Sequence, residues 1–171
     1  MQDLYRYFRS RINGDDLVKR VKELCSIEQG QTFRHYRMSA EHILSELKKL
    51  LENDRENYAK FFAEFGRIIK EGLHLDRANA EKLKDLVLYE SMNTPAGQYI
   101  TLKEYVDAMP ESQKDIYYIT GDDVPTLRNN PQLEAFKENN IEVLLLTDPI
   151  DEFWTQTLTN YKTFAIKHIS K

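Results

Sequence analysis

The chain has 171 residues and a net charge of −4, and 41% of its residues are hydrophobic and 30% charged. This composition predicts a soluble globular protein of one or two small domains. No apolar run approaches the ~18 residues of a membrane span, and the N-terminus lacks the apolar core of a secretory signal. Because Cys25 is the single cysteine, no internal disulfide can form. We therefore expect a cytoplasmic protein whose acidic balance disfavours nucleic acid and that has no membrane partner.

Residues 1–43 are predicted to form a helical N-terminal extension. Apolar residues recur there at helical spacing in two stretches separated by Gly14. Arginine and lysine residues make the segment basic, which fits a patch for an acidic partner or nucleic acid, or a solvated helix face. Acidic residues are interleaved with the basic ones, so the solvated face is the better interpretation. Cys25 lies in the second stretch and is interpreted as a buried small apolar residue.

Residues 44–110 are predicted to form the helical part of the fold, beginning with two long helices. Ser39 can cap the first helix, and Gly72 is typical of the position that follows the second. Both helices carry an apolar stripe, which predicts a core between them. The stripe residues are Ile43, Leu44, Leu47, Leu50, Leu51, Tyr58, Phe61, Phe62, Phe65, Ile68 and Ile69.

Two further helices are predicted before the first strand. One covers residues 80–88 and is followed by a loop over 91–97. The other begins at Thr101, which forms a capping-box pattern with Glu104, so that each side chain can bind the other residue's backbone N–H. Pro110 ends this last helix, because proline cannot donate the next helical hydrogen bond.

Residues 111–171 are predicted to form a small α/β/α part. A strand over 116–120, a helix with Leu133 and Phe136, and a strand over 143–146 make a βαβ unit. The two strands of such a unit should be parallel, with a right-handed crossover. The second strand is apolar without alternation, which is typical of a strand covered on both faces.

The chain after this unit is predicted to form one more helix and a last strand. The helix should begin at Pro149, with Asp148 as its N-cap, and the strand should cover residues 163–169. Together these elements predict an α/β fold, in which a helical segment precedes a small three-layer α/β/α sandwich containing the βαβ unit.

Three aspartates at the predicted strand ends are the catalytic candidates. Asp122 and Asp123 follow the first strand and Asp148 the second, and sites in α/β folds often lie there. Turns also favour Asp, and no phosphate-binding loop or metal-type histidine spacing accompanies them. Capping and the helix dipole explain Asp148, Asp151 and Glu152 better than a metal cluster does. A small α/β hydrolase or phosphotransferase using Asp122, Asp123 or Asp148 therefore stays open as an alternative.

Phe153 and Trp154 are adjacent in the predicted helix. Their side chains should point about 100° apart, so they cannot both face one core. We expect one of them to lie near the surface, where a large aromatic beside acidic residues suits contact with another protein.

Five stretches of the chain occur together, in this order, in one protein family. They are LSELKKLLENDRENYAKFFAEFGRIIKEGL at 44–73, LVLYES at 86–91, TLKEYVDAM at 101–109, IYYITG at 116–121 and EVLLLTDPIDEFW at 142–154. With them, about residues 44–171 resemble the distal part of the middle domain of the Hsp90 family of molecular chaperones.

The resemblance implies a fragment of an ATP-dependent chaperone that assists protein folding. Such a fragment would provide a surface for unfolded or partly folded client proteins and for co-chaperones. The matching positions imply client contacts at Glu152, Phe153, Trp154 and Gln156. ATP and Mg²⁺ belong to the full-length family, whose nucleotide-binding and dimerisation domains are not matched here. The chain should therefore hold no cofactor and should not hydrolyse ATP alone.

The N-terminal part departs from the family pattern. The family has a loop before its first long helix whose arginine reaches the nucleotide, and residues 1–43 do not show that motif. Arg34 and Arg37 lie in roughly that region without the surrounding pattern, so neither is assigned a role.

Overall fold

The computed structural model describes residues 40–170, with side chains from Ile43 onward. The predicted N-terminal helices, their basic residues, Cys25 and the Ser39 cap lie outside the described residues. Within residues 40–170, no helix is long and apolar enough to cross a membrane.

Two long helices, α1 (Ala40–Asn53) and α2 (Arg55–Leu75), begin the described part. Asp54 separates them and caps α2 by accepting a hydrogen bond from the backbone N–H of Asn57. Their apolar stripes pack in one core, as predicted. Helix α2 continues through Gly72, so the prediction that it ends there is wrong. Leu73 is buried at 1% exposure, and continuing the helix keeps its apolar contact.

Helix α3 (Ala80–Lys84) is shorter than predicted. Residues 86–88 leave the helix but stay buried, and they lead into β1 (Glu90–Ser91), a strand that was not predicted. Helix α4 (Leu102–Ala108) has the predicted capping box, with Thr101 and Glu104 each bound to the other's backbone N–H.

A five-stranded sheet forms the centre of the second half. Its strands are β1, β2 (Asp115–Thr120), β3 (Val143–Leu146), β4 (Asn160–Tyr161) and β5 (Phe164–His168), in the order β1-β3-β2-β5-β4. Strand β2 pairs in parallel with β3 and with β5, which confirms the βαβ unit and the last strand. The two edge strands pair antiparallel with their neighbours.

The crossover from β2 to β3 is broken into short pieces. Helix α5 (Val124–Arg128), a 3₁₀ turn (Pro131–Leu133) and helix α6 (Glu134–Glu138) replace the single predicted helix. Pro125 and Pro131 each lie in the first turn of a piece, because proline fits the start of a helix but not its interior.

Strand β3 is buried on both faces, as predicted. Leu144 and Leu146 join the large apolar cluster that contains α1 and α2. Val143 and Leu145 join a second cluster on the other face, with Leu127 and Leu133 of the crossover. The sheet therefore lies between two helical layers, and the three-layer α/β/α prediction is confirmed.

Candidate functional site

The acidic turn after β2 is a helix cap. The Asp123 carboxylate accepts a hydrogen bond from the Thr126 backbone N–H at 2.8 Å and another from the Thr126 hydroxyl at 2.8 Å. These two bonds, that of the backbone first, lower the pKa of Asp123. Asp122 is exposed beside it. The Asp123 carboxylate is accounted for by the start of α5, the helix that it caps.

The acidic turn after β3 is an ion-paired anchor. Lys70 of α2 places its Nζ 2.6 Å from Asp148 Oδ2 and 3.0 Å from Asp151 Oδ1. The side chains of Lys70 and Asp151 are 8% and 1% exposed, so this pair is almost dehydrated. Its geometry joins the C-terminal half of α2 to the turn that follows β3.

Asp151 also binds groups of its own segment. Its carboxylate accepts the Trp154 indole N–H at 2.6 Å and the Asp148 backbone N–H at 3.1 Å. Helix α7 (Asp151–Thr157) therefore begins at Asp151. The prediction that it begins at Pro149 with Asp148 as cap is wrong. The Asp148 side chain pairs with Lys70 instead, and the Asp151 carboxylate accepts the backbone N–H of Asp148.

The enzyme alternative is not supported. Asp123 caps a helix, Asp148 is paired with Lys70, and Asp122 points to solvent without a basic partner at bonding distance in the described ion pairs. A general base or nucleophile needs a neighbour that activates it or a substrate position in reach. Among residues 43–170, no three His, Cys, Asp or Glu side chains group in a way that could hold a metal.

The adjacent aromatics of α7 lie in opposite environments. Trp154 is 1% exposed and packs against the Tyr89 ring with centroids 5.9 Å apart. Phe153 is 56% exposed. The prediction that one of the two lies near the surface is confirmed. Trp154 was also expected among the client contacts, and its burial removes it from the accessible surface.

Burial dominates the surroundings of Trp154. Burial of the Tyr89 hydroxyl raises its pKa well above the usual value, and the negative charge of Asp151 adds to the shift. Tyr89 therefore stays neutral beside Trp154.

Phe153 belongs to a surface formed by α2 and α7 together. The His74 ring meets the Phe153 ring edge-on, with centroids 6.4 Å apart, and His74 Nδ1 lies 3.0 Å from the Thr157 hydroxyl. Next to His74, Leu75 is 60% exposed. Within residues 43–170, Leu75 and Phe153 are the exposed large hydrophobic side chains.

Two predicted contact residues complete this surface. Glu152 and Gln156 are exposed on α7, beside Phe153. We name the set His74, Glu152, Phe153 and Gln156 the α2–α7 surface. Three of these four residues were predicted from the family resemblance.

Sequence reasoning missed the contributions of α2. Lys70, His74 and Leu75 precede α7 by about 80 residues of chain, so no local pattern connects them with it. The sequence Lys70-Glu71-Gly72 matches the family pattern, so it could have drawn attention to this part of α2. The match does not reveal that Lys70 is buried.

The fold and the α2–α7 surface together define an α/β/α unit whose candidate site is a contact surface. A family model described as "Hsp90 protein" matches residues 34–171. The chain belongs to the Hsp90 family, as the sequence motifs predicted.

Individual relatives give the same result. A "Chaperone protein HtpG" of Geobacter sulfurreducens is 39% identical over 171 residues, which is 100% of this chain and 26% of that protein. Another, of Francisella tularensis subsp. holarctica, is 46% identical over 130 residues, or 75% of this chain and 21% of that protein. The chain thus spans about a quarter of the length of these curated relatives.

A solved structure shares the fold. The middle domain of a Plasmodium falciparum heat shock protein matches with a TM-score of 0.71 and 36% identity, covering 75% of this chain and 53% of that one. The Geobacter alignment also includes residues 1–43, so the similarity reaches beyond the range that the motifs alone had marked.

Proposed function

We propose that this chain is part of an ATP-dependent, cytoplasmic Hsp90-type chaperone and supplies contact surface for unfolded or partly folded clients and for co-chaperones. The observation that carries the proposal is Phe153, a large aromatic that is 56% exposed although its neighbour Trp154 is fully buried. The names of the relatives, which are chaperone proteins, support the same activity.

The α2–α7 surface suits weak binding of many extended chains. Phe153 stands on a helix fixed to the core, so little ordering cost accompanies its contacts. The His74 ring lies against Phe153 from the neighbouring helix. The Glu152 carboxylate attracts basic segments and keeps the patch soluble. These features give affinity for stretches that combine basic residues with the apolar side chains that a folded protein hides.

Nucleotide binding is proposed to belong to other parts of the full-length protein. The sequence contains no phosphate-binding loop, which supports this assignment. Titration of the chain with ATP and Mg²⁺ in a calorimeter should give no saturable heat. Saturable binding at micromolar ATP would overturn the assignment.

The client proposal is tested with Phe153→Ala. We expect this variant to keep its melting temperature and to lose about 1–3 kcal/mol of binding free energy, the range of truncated aromatic hot spots. Binding is measured by fluorescence anisotropy with labelled, reduced and carbamidomethylated ribonuclease A, a basic chain that is permanently unfolded. Unchanged affinity in a folded Phe153→Ala chain would place the client surface elsewhere.

Two matched pairs sharpen this test. Trp154→Ala should destabilise the fold by about 3–5 kcal/mol, because it empties a core position.

Glu152→Gln should weaken binding of a basic unfolded peptide, whereas Glu138→Gln, which changes an exposed glutamate at the end of α6, should not. Equal effects of the two glutamate variants would show that net charge, and not the α2–α7 surface, attracts the peptide.

A further inference from the structure

Helix α7 can present Phe153 only if its rotation about its own axis is fixed. Successive helical residues point about 100° apart, so a rotation that buries Trp154 turns Phe153 away from the core. The question is which contacts hold α7, a helix of 7 residues, in this rotation.

The first holding contact is made by Lys70. Its ammonium group lies 2.6 Å from Asp148 and 3.0 Å from Asp151, the residues that flank the Pro149-Ile150 turn. One cation thus fixes both ends of the turn that leads into α7. Because Lys70 stands on α2, it also fixes the turn against the neighbouring helix.

The second holding contact runs from Asp151 to Trp154. The carboxylate that Lys70 binds accepts the Trp154 indole N–H at 2.6 Å, within one turn of α7. Trp154 then fills the apolar pocket against Tyr89. Lys70, Asp151 and Trp154 therefore form a continuous chain of contacts from α2 to the side chain that determines the rotation of α7.

We infer that Lys70 is a positioning residue for client binding, acting through Asp151 and Trp154 to hold Phe153 outward. This inference rests on the proposed function. Without the Lys70 charge, the buried Asp151 carboxylate would have no cation, which is strongly unfavourable in an apolar site. Asp151 must then move toward water, and Trp154, bound to it, must move as well.

The central experiment is a double-mutant cycle between Lys70→Met and Phe153→Ala. Affinity for the labelled, carbamidomethylated ribonuclease A is measured for the wild-type chain and the three variants. Lys70→Met should weaken binding about tenfold in the wild-type background. In the Phe153→Ala background it should change affinity less than about twofold, because the residue through which it acts is gone.

A spectroscopic readout accompanies the binding data. Trp154 is the single tryptophan of the chain, so its fluorescence reports on this pocket alone. Emission should shift to longer wavelength in Lys70→Met and return in Lys70→Arg, which restores a cation that can bind both carboxylates. Lys70→Arg should also recover most of the affinity.

A buried lysine elsewhere provides the matched control. Lys84 of α3 is 3% exposed and pairs with Glu81 and the Asn160 carbonyl, not with the turn before α7. Lys84→Met should lower the melting temperature without changing client affinity or Trp154 emission. If Lys70→Met does not fold, Lys70→Gln carries the test, since it removes the charge and leaves a side-chain N–H that can still donate to the Asp151 carboxylate. It should weaken client binding and shift Trp154 emission in the same direction as Lys70→Met, and no change in either would overturn the inference.

The outcomes separate the two claims. If Phe153→Ala binds clients as tightly as wild type, the proposed function fails. If Phe153→Ala weakens binding but Lys70→Met does not, or weakens it equally in both backgrounds, the positioning role is wrong. An equal loss of affinity in Lys84→Met would likewise reduce the effect of Lys70 to general stability and overturn the inference.

Discussion

The two acidic turns that follow the parallel strands β2 and β3 look alike in sequence and differ in the fold. Asp123 finds its partner three residues away, at Thr126. Asp148 and Asp151 both bind the Lys70 ammonium group, which lies 78 and 81 residues earlier in the chain. The first turn is satisfied locally and starts a helix. The second connects two layers of the domain and determines which aromatic of α7 reaches the surface.

The largest expected effect concerns β3, the strand that carries the second turn. Leu145→Asp places a carboxylate in the apolar cluster with Leu127 and Leu133. The cost should exceed about 4 kcal/mol, enough to unfold the sheet. Denaturant unfolding followed by circular dichroism measures it. A cooperative melt within a few degrees of wild type would refute the burial of β3 on both faces.

Asp151→Ala should have the next largest effect. It removes the carboxylate from a buried pair and leaves the Lys70 ammonium group with Asp148 alone, which should cost about 3–5 kcal/mol. Urea denaturation gives the free energy of unfolding. A loss below about 1 kcal/mol would mean that the second turn is no better anchored than the first.

Asp123→Ala should have a much smaller effect, because it removes only a local cap. We expect the melting temperature to fall by about 2–4 °C. The pKa of Asp123 is lowered in the folded state, so its contribution is present above the usual value of 3.8 and is lost as pH falls through the folded pKa. The difference between wild type and Asp123→Ala should therefore vanish in acid. A difference that persists at pH values below the folded pKa would contradict the capping role.

Asp122→Asn should have the smallest effect. Asp122 is exposed and lies next to the cap without taking part in it. The melting temperature should be unchanged within the error of differential scanning calorimetry. A drop as large as that of Asp123→Ala would show that the turn after β2 depends on both carboxylates.

Local signals predicted much of this fold. The Thr101–Glu104 capping box, the parallel β2 and β3, and the last strand each depend on residues within a short stretch of chain. The split between Phe153 and Trp154 followed from helix geometry alone. Those features were confirmed because the local preference and the tertiary structure agree.

The missed features depend on contacts between distant parts of the chain. Strands β1 and β4 have two residues each, too few for any alternation to show. Helix α2 passes through Gly72 because Leu73 has a place in the core beyond it. The Lys70 anchor could not be predicted, since a lysine in a helix is usually solvated and its burial depends on α7.

The two short strands at the sheet edges have a consequence for how an extended chain can be held. An edge strand offers unpaired N–H and C=O groups that another extended chain can use as a template. Here β1 and β4 offer a ladder of only two residues each. If clients bind the α2–α7 surface as proposed, they would be held by side-chain contacts and would not join the sheet as a sixth strand. The chaperone would then not act as a template for cross-β aggregation of its client.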